Sequence, residues 1–444
     1  MNYLINVRFK TMKQLLQLKL KIFAKLILWK YRPKIIGITG SVGKSSAKEA
    51  VYAVLAGKYN VRRSAKNYNN ELGVPLTVIG AASAGKNIFG WGAIFWQALW
   101  LILLPDKNYP QILIIELGVD RPGDMNYLLK LVKPYIGIMT AVGPAHLEFF
   151  GSIEDIAAEK GKLISGLDRQ SWAILNIDDK RVRKYIKNTD ASVITYGFDQ
   201  AADIVADYVK FSYTGGESDI NNLQGVSFKV SYRGATVPIL LPRSLGIGQV
   251  YAALAAIGVG IIYGLDLVAI AARLREFICP AGRMNLIKGI KKSIVIDDTY
   301  NSSPEATLAA LDVLSKIPLP ADGRRWAVLG DMLELGFVSV ESHQAVGRKI
   351  AELAVDILIT VGERARDIDR GAASAGMAPD DIFHFPQAAD AGKFVQSRLN
   401  VGDLILVKGS QGMRMEKIVK EIMAEPLQAK ELLVRQEEEW LNSQ

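Results

Sequence analysis

Short apolar runs alternate along most of the chain with longer segments in which apolar residues recur every three to four positions. The runs are typical of buried strands and the longer segments of amphipathic helices. Strands that alternate with helices predict an α/β fold with a mostly parallel sheet. The first strands are "KIIGIT", "QILIIELG", "YIGIMTAVG", "WAILNID" and "SVITYGF", and the clearest helices cover residues 44–55 and 152–167.

The pattern changes at residues 203–241, where three strictly alternating segments predict a small antiparallel part, followed by a helix over 251–262. A second strand–helix series begins near residue 284 and predicts a Rossmann-like α/β domain. Its strands are "SIVIDD", "RWAVLGD", "DILITVGE", "DIFHF" and "DLILVKGS", with helices over 304–316 and 340–354. The predicted organisation is a basic N-terminal helix (1–34), a central domain (35–283), a C-terminal domain (284–425) and a helical tail (426–444).

Positive charge is concentrated at the N-terminus. The net charge is +9, and residues 1–34 hold nine Lys or Arg and no acidic residue, whereas the rest of the chain has 45 basic and 45 acidic residues. A nucleic-acid-binding surface spread over the domains is therefore not expected. Apolar residues lie among these lysines, which favours an amphipathic helix on an anionic membrane surface. A helix docked on the protein itself, or nucleic-acid contact by this segment, are the alternatives.

Residues 87–105, "NIFGWGAIFWQALWLILLP", contain no charged side chain. Their length would allow a membrane crossing. A single crossing would, however, place the candidate site residues Lys44 and Glu116 on opposite sides of the bilayer. The tryptophans at positions 91, 96 and 100 suit a membrane interface. We therefore expect an interfacial or re-entrant helix or hairpin, or else a helix that is buried or faces a partner subunit.

Cysteine and histidine are scarce in this chain. The one cysteine, Cys279, excludes an intramolecular disulfide and favours a reducing compartment. We expect the cytoplasm, with possible contact to the inner face of its membrane. Three histidines cannot form a histidine-rich metal cage. The length of 444 residues suggests two or three domains.

A glycine-rich loop joins the first strand to the first helix of the α/β series, in "GITGSVGKSS" (37–46). A strand, a glycine turn and a helix N-terminus direct backbone N–H groups and the helix dipole at one spot, which favours a phosphate. The loop is shorter than the usual G-x-x-x-x-G-K-[ST], because Gly40 and Gly43 are only three positions apart. Lys44 is predicted to reach the terminal phosphates and Ser45 to ligate Mg²⁺. The alternative is a small-residue turn made for close packing.

Three more polar residues follow or flank strands of the same predicted sheet. Glu116 ends a strand, and the carboxyl ends of parallel strands are where ligands bind. A carboxylate there can hold Mg²⁺ against phosphates. His146 comes just after another strand end, and Lys160 lies in the helix that follows. Taken singly, Glu116 also fits a cap or surface group, His146 a structural histidine and Lys160 a solvated charge.

Eight motifs occur in a fixed order. They are "TGSVGKSS", "NYNNELGVP", "IIELGVDRPGDM", "VGPAHLEFFGSIEDIAAEKGKLISGL", "AGRMN", "DDTYNSSPEAT", "VLGDMLELG" and "VKGSQGMRMEKIV". This series, over roughly residues 35–425, closely resembles the Mur ligase family. The resemblance implies a central P-loop ATPase domain, a C-terminal Rossmann-like domain, and ATP-dependent amide bond formation that yields ADP and phosphate. A substrate carboxylate would attack the γ-phosphate, and an incoming amine would then attack the acyl phosphate.

The resemblance also implies roles for individual residues. Lys44 stabilises the phosphates, Ser45 and Glu116 hold a first Mg²⁺, and His146 serves a second. Lys160 matches a carbamylated lysine, in which CO₂ converts the cation into an anion that can serve a metal site. The implied ATP contacts are Gly40, Ser41, Val42, Gly43, Lys44, Ser45, Ser46, Arg283, Asn301 and Asp331. The implied substrate contacts are Asn70, near the phosphates and the acyl group, and Lys408 and Ser410 on the amine side.

The implied substrates are a muramyl-peptide-like carboxylate and D-alanyl-D-alanine or a similar amino acid or dipeptide amine, in peptidoglycan precursor synthesis. Ala141, Gly248 and Gln249 differ from the usual family residues, and these differences concern substrate contacts rather than ATP. Residues 1–34 stand where cell-wall ligases carry a UDP-binding domain, so we expect that domain to be absent. The alternatives are a membrane-surface ligase for a lipid-linked or non-muramyl acceptor, and a non-catalytic nucleotide-binding module.

Overall fold

The chain divides into two compact units. The structure, a computed structural model, describes the backbone of residues 2–65, 68–85, 87–143, 147–215 and 219–441, and their side chains except those of 2–14, 147, 148 and 439. The first unit comprises Met1–Tyr208, Phe228–Ile239 and Gly248–Phe277, and the second comprises Val209–Ser227, Leu240–Ile247 and Ile278–Gln444.

A nine-stranded sheet organises the first unit, and the boundary between the units runs across its last three strands. The strands are β1 (Lys34–Thr39), β2 (Val61–Arg63), β3 (Ile112–Glu116), β4 (Ile136–Met139), β5 (Trp172–Asn176), β6 (Ser192–Gly197), β7 (Ile204–Tyr213), β8 (Leu223–Tyr232) and β9 (Ala235–Pro242). They lie in the order β2-β3-β1-β4-β5-β6-β7-β8-β9, and the pairs from β2 to β7 are parallel. Strands β1 and β3 are buried almost throughout, as expected for parallel strands covered on both faces.

The end of this sheet contains the antiparallel part predicted for residues 203–241. A two-residue turn joins β8 to β9, with φ of 47° at Arg233 and 81° at Gly234. Positive φ at both central residues is what a tight type I′ hairpin turn requires. The turn therefore makes β8 and β9 an antiparallel hairpin.

Helices precede, connect and follow the strands of this sheet. They are α1 (Asn2–Tyr31), α2 (Lys44–Ala56), α3 (Gly73–Ile79), α4 (Ile88–Leu103), α5 (Asp124–Leu129), α6 (Leu147–Phe150), α7 (Ile153–Ser165), α8 (Lys180–Arg183), α9 (Ile247–Ile262) and α10 (Leu267–Leu274). Within the described part of the chain, no helix combines the length and the apolar character needed to span a membrane.

The C-terminal half of α1 is docked on the first unit. Leu20, Ala24 and Ile27 are fully buried and belong to the same apolar core as Leu113 and Ile115 of β3. This face of α1 is therefore docked on the protein itself, which was one of the alternatives for residues 1–34. The charge-free segment 87–105 contains α4, which adds its own buried residues to that core.

A six-stranded sheet organises the second unit. Its strands are β10 (Asn285–Lys288), β11 (Ile294–Asp298), β12 (Arg325–Gly330), β13 (Ile357–Val361), β14 (Ile382–Phe385) and β15 (Leu404–Lys408). They lie in the order β10-β11-β15-β12-β13-β14, with β10 antiparallel and the other pairs parallel. The helices are α11 (Pro304–Lys316), α12 (Ser339–Glu352), α13 (Arg366–Ser374), α14 (Ala388–Arg398), α15 (Glu416–Ile422), α16 (Ala429–Leu432) and α17 (Glu438–Leu441). Apolar cores cover both faces, as the Rossmann-like prediction requires.

The predicted fold class is confirmed by these two α/β sheets. The tail 426–444 stays a prediction as a helical segment, and in its described part α-helix covers the four-residue α16 and α17. Arg435, which lies between α16 and α17 in the sequence, is buried and has φ of 58°, a conformation that an α-helix cannot include. Residues 209–227 and 240–247 group with the second unit, whereas the sequence pattern assigns them to the central domain. The limits 35–283 and 284–425 stay a prediction.

Candidate active site

The glycine-rich loop lies between β1 and α2. Gly40 has φ of 146° and Gly43 of 88°, backbone conformations that residues with a side chain rarely adopt. A Cβ atom on Gly40 would lie 2.0 Å from Thr140 Oγ1, so a side chain would collide with the segment after β4. No described side chain caps α2, which begins at Lys44, so its first N–H groups are directed toward the loop. This is the geometry of an anion site at a helix N-terminus.

The loop is fastened to the end of β4. The Ser41 N–H donates to Ala141 O at 2.6 Å, and the Ser41 hydroxyl donates to Gly143 O at 3.1 Å. The Thr140 hydroxyl donates to Val42 O at 2.6 Å, while the Val42 side chain is exposed. Because Ala141 takes part through its carbonyl, its difference from the usual family residue leaves this contact unchanged.

Ser45 and Glu116 meet at the start of α2. Ser45 Oγ lies 3.3 Å from Glu116 Oε2, because β3 pairs with β1 and ends beside the loop. Lys44 Nζ donates to Gly40 O at 2.7 Å, and Ser46 is buried in the next position. A hydroxyl and a carboxylate beside an ammonium group form a set that suits Mg²⁺ and phosphate together.

Lys48 is a member of this cluster that the sequence analysis missed. It is buried, its Nζ lies 3.0 Å from Glu116 Oε1, and it donates to Ser64 O at 2.8 Å. Its charge therefore balances that of the buried Glu116 carboxylate. The sequence signal was its position one turn after Lys44, on the same face of α2.

Lys160 lies on α7 with its side chain buried. Burial, and then the charge of Lys44, lower the pKa of Lys160 to about 7, although Asp120 and Glu159 act in the opposite direction. A solvated surface lysine is therefore excluded. This lowered pKa makes the neutral amine available at neutral pH, and a neutral amine is a nucleophile, whereas an ammonium group is not.

Asn70 lies in a segment attached to the end of β3. The Gly118 N–H donates to Asn69 O at 2.9 Å, which brings the segment beside the strand end. The Asn70 side-chain oxygen accepts from the N–H groups of Leu72 and Gly73 at 3.2 and 3.0 Å, at the start of α3. Asn70 thus lies near the strand end that carries Glu116.

His146 lies outside the described residues. Among the described residues, no group of three or more His, Cys, Asp or Glu forms a metal-binding cluster. The predicted metal ligands that the structure brings together are the Ser45 hydroxyl and the Glu116 carboxylate.

In the second unit, the predicted residues gather at the carboxyl ends of β11, β12 and β15. The Arg283 guanidinium lies 4.1 Å from the centre of the Tyr300 ring. The Tyr300 N–H donates to Gly282 O at 3.0 Å, which joins the Arg283 loop to the loop after β11. Asn301 follows Tyr300 and is exposed.

Lys408 ends β15 and is buried. Its Nζ donates to Asp298 Oδ2 at 2.6 Å and to Asn301 O at 2.9 Å. The lysine therefore holds the loop after β11 against β15 through an ion pair and a carbonyl.

Asp331 and Ser410 connect two neighbouring strand ends. Asp331 Oδ1 accepts from the Ala365 N–H at 2.8 Å, and burial raises the pKa of this carboxyl. The Ser410 N–H donates to Asp331 O at 3.0 Å, and its hydroxyl accepts from the Leu333 N–H at 2.8 Å. These contacts position the loop after β12 beside the loop after β15.

Two buried charged residues near these loops were not predicted. Asp297 accepts from the Gly282 N–H at 3.1 Å and from the Thr299 hydroxyl at 2.6 Å, and burial raises its pKa to about 6. Arg435 donates to Thr299 O at 3.1 Å and to Tyr300 O at 2.6 Å. Arg435 lies 136 residues beyond Thr299, so no local sequence pattern indicates its contact.

Together, a parallel sheet with a phosphate-binding loop at its carboxyl edge and a second Rossmann-like sheet define a nucleotide-binding α/β enzyme. The model of the Mur ligase middle domain matches residues 99–260, and that of the Mur ligase, glutamate ligase domain matches residues 282–411. The UDP-N-acetylmuramoyl-tripeptide–D-alanyl-D-alanine ligase of Bacillus subtilis (strain 168) is 30% identical over 404 residues, covering 91% of this chain and 79% of that protein. This chain belongs to the Mur ligase family.

Other relatives and solved structures agree with this membership. The ligase of the same description from Synechocystis is 32% identical over 393 residues, or 88% of this chain and 75% of that protein. A crystal structure of MurF from Acinetobacter baumannii has a TM-score of 0.74 at 26% identity, covering 91% of this chain and 79% of that one. MurF ligase from Thermotoga maritima in complex with ADP has a TM-score of 0.71 at 25% identity, covering 90% and 82%. The family and the enzyme class predicted from the sequence are confirmed, and these likenesses give no support to a non-catalytic module.

Proposed function

We propose that this Mur ligase joins D-alanyl-D-alanine, or a closely similar amine, to the carboxylate of a UDP-linked muramyl tripeptide in the cytoplasm. ATP and Mg²⁺ are its cofactors, and ADP and phosphate are its products. The observation that carries the proposal is the meeting of Lys44, Ser45 and Glu116 at the N-terminus of α2. The substrates follow from the likeness to the tripeptide–D-alanyl-D-alanine ligases.

The reaction needs positive charge where two anions meet. A carboxylate is a poor electrophile, and phosphorylation by ATP gives it a good leaving group. The attacking carboxylate and the γ-phosphate are both negative, so their approach is unfavourable without compensation. Lys44 and the N-terminal N–H groups of α2 supply fixed positive charge at this point, which stabilises the transition state.

The residues at the loop fit a magnesium ion. Mg²⁺ prefers oxygen ligands, and the Ser45 hydroxyl and Glu116 carboxylate lie 3.3 Å apart. Lys48, 3.0 Å from the other carboxylate oxygen, fixes the orientation of Glu116. When bound, the ion would neutralise charge on the phosphates.

Lys160 is proposed to be carbamylated. Its neutral Nζ would form a bond to the carbon of CO₂ and release one proton, which converts an amine into an anionic carbamate. The pKa of about 7 supports this step, because an ordinary lysine amine is almost fully protonated at neutral pH. The carbamate and His146 would serve a second Mg²⁺.

The remaining predicted residues take their roles from the family resemblance. Asn70 is proposed to contact the acyl group near the phosphates. Lys408 and Ser410 would act on the amine side through the loops that they hold, because both are buried. The proposed nucleotide contacts are Gly40, Ser41, Val42, Gly43, Ser46, Arg283, Asn301 and Asp331.

An ADP-release assay with crossed substrates tests the proposal. UDP-linked and lipid-linked muramyl peptides would each be combined with single amino acids and with D-alanyl-D-alanine. We expect ADP release that needs both substrates and is fastest with the UDP-linked tripeptide and the dipeptide. Faster turnover with a lipid-linked acceptor would contradict the proposed substrate. ADP release without any acceptor would contradict the ligase reaction.

The carbamate is tested separately with Lys160→Ala. Loss of a buried charged group at the reacting centre should lower kcat by roughly 10²- to 10³-fold. Short carboxylic acids should restore part of the rate, because they supply the missing anion. Lys162→Ala, on the same helix but partly exposed, is the matched control and should stay near the wild-type rate. A near-normal rate in Lys160→Ala would remove the carbamate from the proposal.

A further inference from the structure

Helix α1 carries two opposite apolar faces. Leu20, Ala24 and Ile27 form the buried face. A second apolar stripe is 42% to 72% exposed. Its residues are Leu15, Leu18, Ile22, Leu26 and Trp29. At 3.6 residues per turn these five positions fall within an arc of roughly 80° on the side away from the core. The buried face explains how α1 docks on the protein, and the exposed stripe lies on the opposite side of the helix.

Helix α4 repeats this arrangement. Its buried residues are Ile94, Ala98 and Leu101. Large apolar side chains occupy the opposite side and are exposed. They are Phe89, Trp96, Trp100 and Leu103. The helix contains no charged residue at all. An exposed surface of this composition is unusual in a soluble domain and indicates a contact with another partner.

The two helices lie side by side and run in the same direction. The rings of Phe23 and Phe95 are 5.7 Å apart between centres. One to two turns further on, Lys30 Nζ donates to the carbonyl oxygens of Leu101 and Leu104 at 2.9 and 2.6 Å. Viewed along its axis, each helix has its contacting side between the buried residues and the exposed stripe. The path from the buried residues through the contacting side to the stripe is clockwise in one helix and counterclockwise in the other. Both stripes therefore point to the same side of the pair, which we name the α1–α4 face.

Lysines line the α1–α4 face. Lys19 lies on the side of the α1 stripe that faces α4, with its Nζ 5.9 Å from the centre of the Phe95 ring, and Lys25 lies on the outer side of the stripe. Both lysine side chains are exposed. Lys21 is beside Lys25, and burial followed by the charges of Lys25 and Lys130 lowers its pKa. Residues 1–34 contain no acid, and neither does 87–105. The lysines repel one another, and an anionic surface would relieve that repulsion.

We propose that the α1–α4 face docks on the surface of an anionic phospholipid bilayer. The stripes would enter the boundary between headgroups and acyl chains. Tryptophan is enriched at this depth, which suits Trp29, Trp96 and Trp100. Lys19 and Lys25, on either side of the α1 stripe, would contact the lipid phosphates. A second copy of the chain is a poor occupant, because it would bring lysines against lysines. This inference goes beyond the ligase reaction and does not depend on it.

Vesicle flotation of the full-length protein tests the inference. Vesicles of phosphatidylcholine alone would be compared with vesicles that contain phosphatidylglycerol, at low and at high salt. We expect co-flotation with the anionic vesicles only, weakened by salt. Tryptophan emission should shift to shorter wavelength when anionic vesicles are added.

Variants on each helix test whether the two stripes act as one face. Trp29→Ser on α1 and Trp96→Ser on α4 should each weaken partitioning roughly tenfold, because each removes a large apolar side chain that the bilayer would bury. Lys19→Gln with Lys25→Gln should weaken partitioning roughly 25-fold, since each lysine near an anionic surface contributes about fivefold. Matched controls are Phe337→Ser and Lys393→Gln with Lys420→Gln, which change exposed residues of the second unit. The controls should bind vesicles as the wild type does.

Three results would overturn the inference. One is absence of flotation with anionic vesicles, and another is equal flotation with neutral and anionic vesicles. The third is concentration-dependent dimerisation that Trp29→Ser and Trp96→Ser abolish while no vesicle binds, which would assign the face to a second copy. Circular dichroism and a cooperative thermal unfolding transition check that each variant is folded, and neither measurement depends on the ligase reaction.

Discussion

The polar clusters at the carboxyl ends of the two sheets differ in how their buried charges are balanced. In the second sheet, Lys408 is paired with Asp298 at 2.6 Å and also donates to Asn301 O. Beside the first sheet, Lys160 of α7 is equally buried, yet within the described part of the chain it makes no hydrogen bond or ion pair. Burial, with the nearby charge of Lys44, lowers the pKa of Lys160 to about 7.

This difference separates a charge that shapes the fold from one that is available for chemistry. A buried ion pair whose partners are fixed holds loops in place, and removing one partner is costly. A buried lysine without an ion-pair partner destabilises the folded state when it is charged. Such a lysine is typical of functional sites, where a ligand supplies the compensating charge or a modification removes the positive charge. We therefore expect substitutions in the second cluster to change stability first, and those in the first cluster to change activity first.

The largest effect is expected for Lys408→Met. The Asp298 carboxylate would be left without its cation, so the free energy of unfolding of the second unit should fall by about 3 to 5 kcal/mol. Denaturant unfolding measures this change. Adding Asp298→Asn to the same chain removes the orphaned charge and should recover part of the loss. If Lys408→Met lowered kcat without lowering stability, the assignment of this lysine to the fold would be wrong.

Lys44→Ala should have the next largest effect, and on activity. Removing the ammonium group beside the phosphates should lower kcat by roughly 10²- to 10³-fold, with the free energy of unfolding little changed. Glu116→Ala should also abolish measurable turnover, and it removes one of the two carboxylates that pair with Lys48, the other being that of Glu49. Val42→Ala is the control in the same loop, because the Val42 side chain is exposed and the loop uses its carbonyl. Equal losses in Lys44→Ala and Val42→Ala would indicate a damaged loop rather than a lost charge.

The residues of the first cluster could be predicted from the sequence where a local pattern marks them. The loop from Gly40 to Ser45 lies between a strand and a helix in the sequence itself, and Glu116 ends an apolar run. Lys48 was missed because a helical lysine normally faces solvent. Its burial follows from the pairing of β3 beside β1, a contact between segments more than 70 residues apart.

The second cluster and the N-terminal helix show the same limit. The strands of the second unit were predicted from their apolar runs, but their order, with β15 between β11 and β12, depends on contacts that no local pattern encodes. Arg435 stabilises the loop after β11 from the far end of the chain. In α1, two opposite apolar stripes produce a sequence that resembles one membrane helix, and only the structure separates the docked stripe from the exposed one.

The buried Lys160 should make stability depend on pH. As the pH rises from 7 to 9 the native Lys160 amine becomes almost fully neutral, whereas in the unfolded chain it stays protonated up to its ordinary pKa near 10.5. The unfolded state then binds more protons, so stability rises with pH, by about 2 kcal/mol over this range. Lys160→Met should remove this part of the slope in CO₂-free buffer, while Lys162→Met should keep it. Identical slopes in the wild type and Lys160→Met would show that Lys160 is not buried in its neutral form.

The smallest effect compares one glycine from each unit. Gly43 and Gly376 have φ of 88° and 98°, and a Cβ atom at either position would meet no atom closer than 3.7 Å. Changing either to alanine should therefore cost about 1 kcal/mol of stability from backbone strain alone. Only Gly43→Ala adds a methyl group at the start of α2, where phosphates approach, so only this variant should raise the KM for ATP, by roughly tenfold. If both variants lost the same stability and neither changed the KM, the loop after β1 would be a structural turn and not a phosphate site.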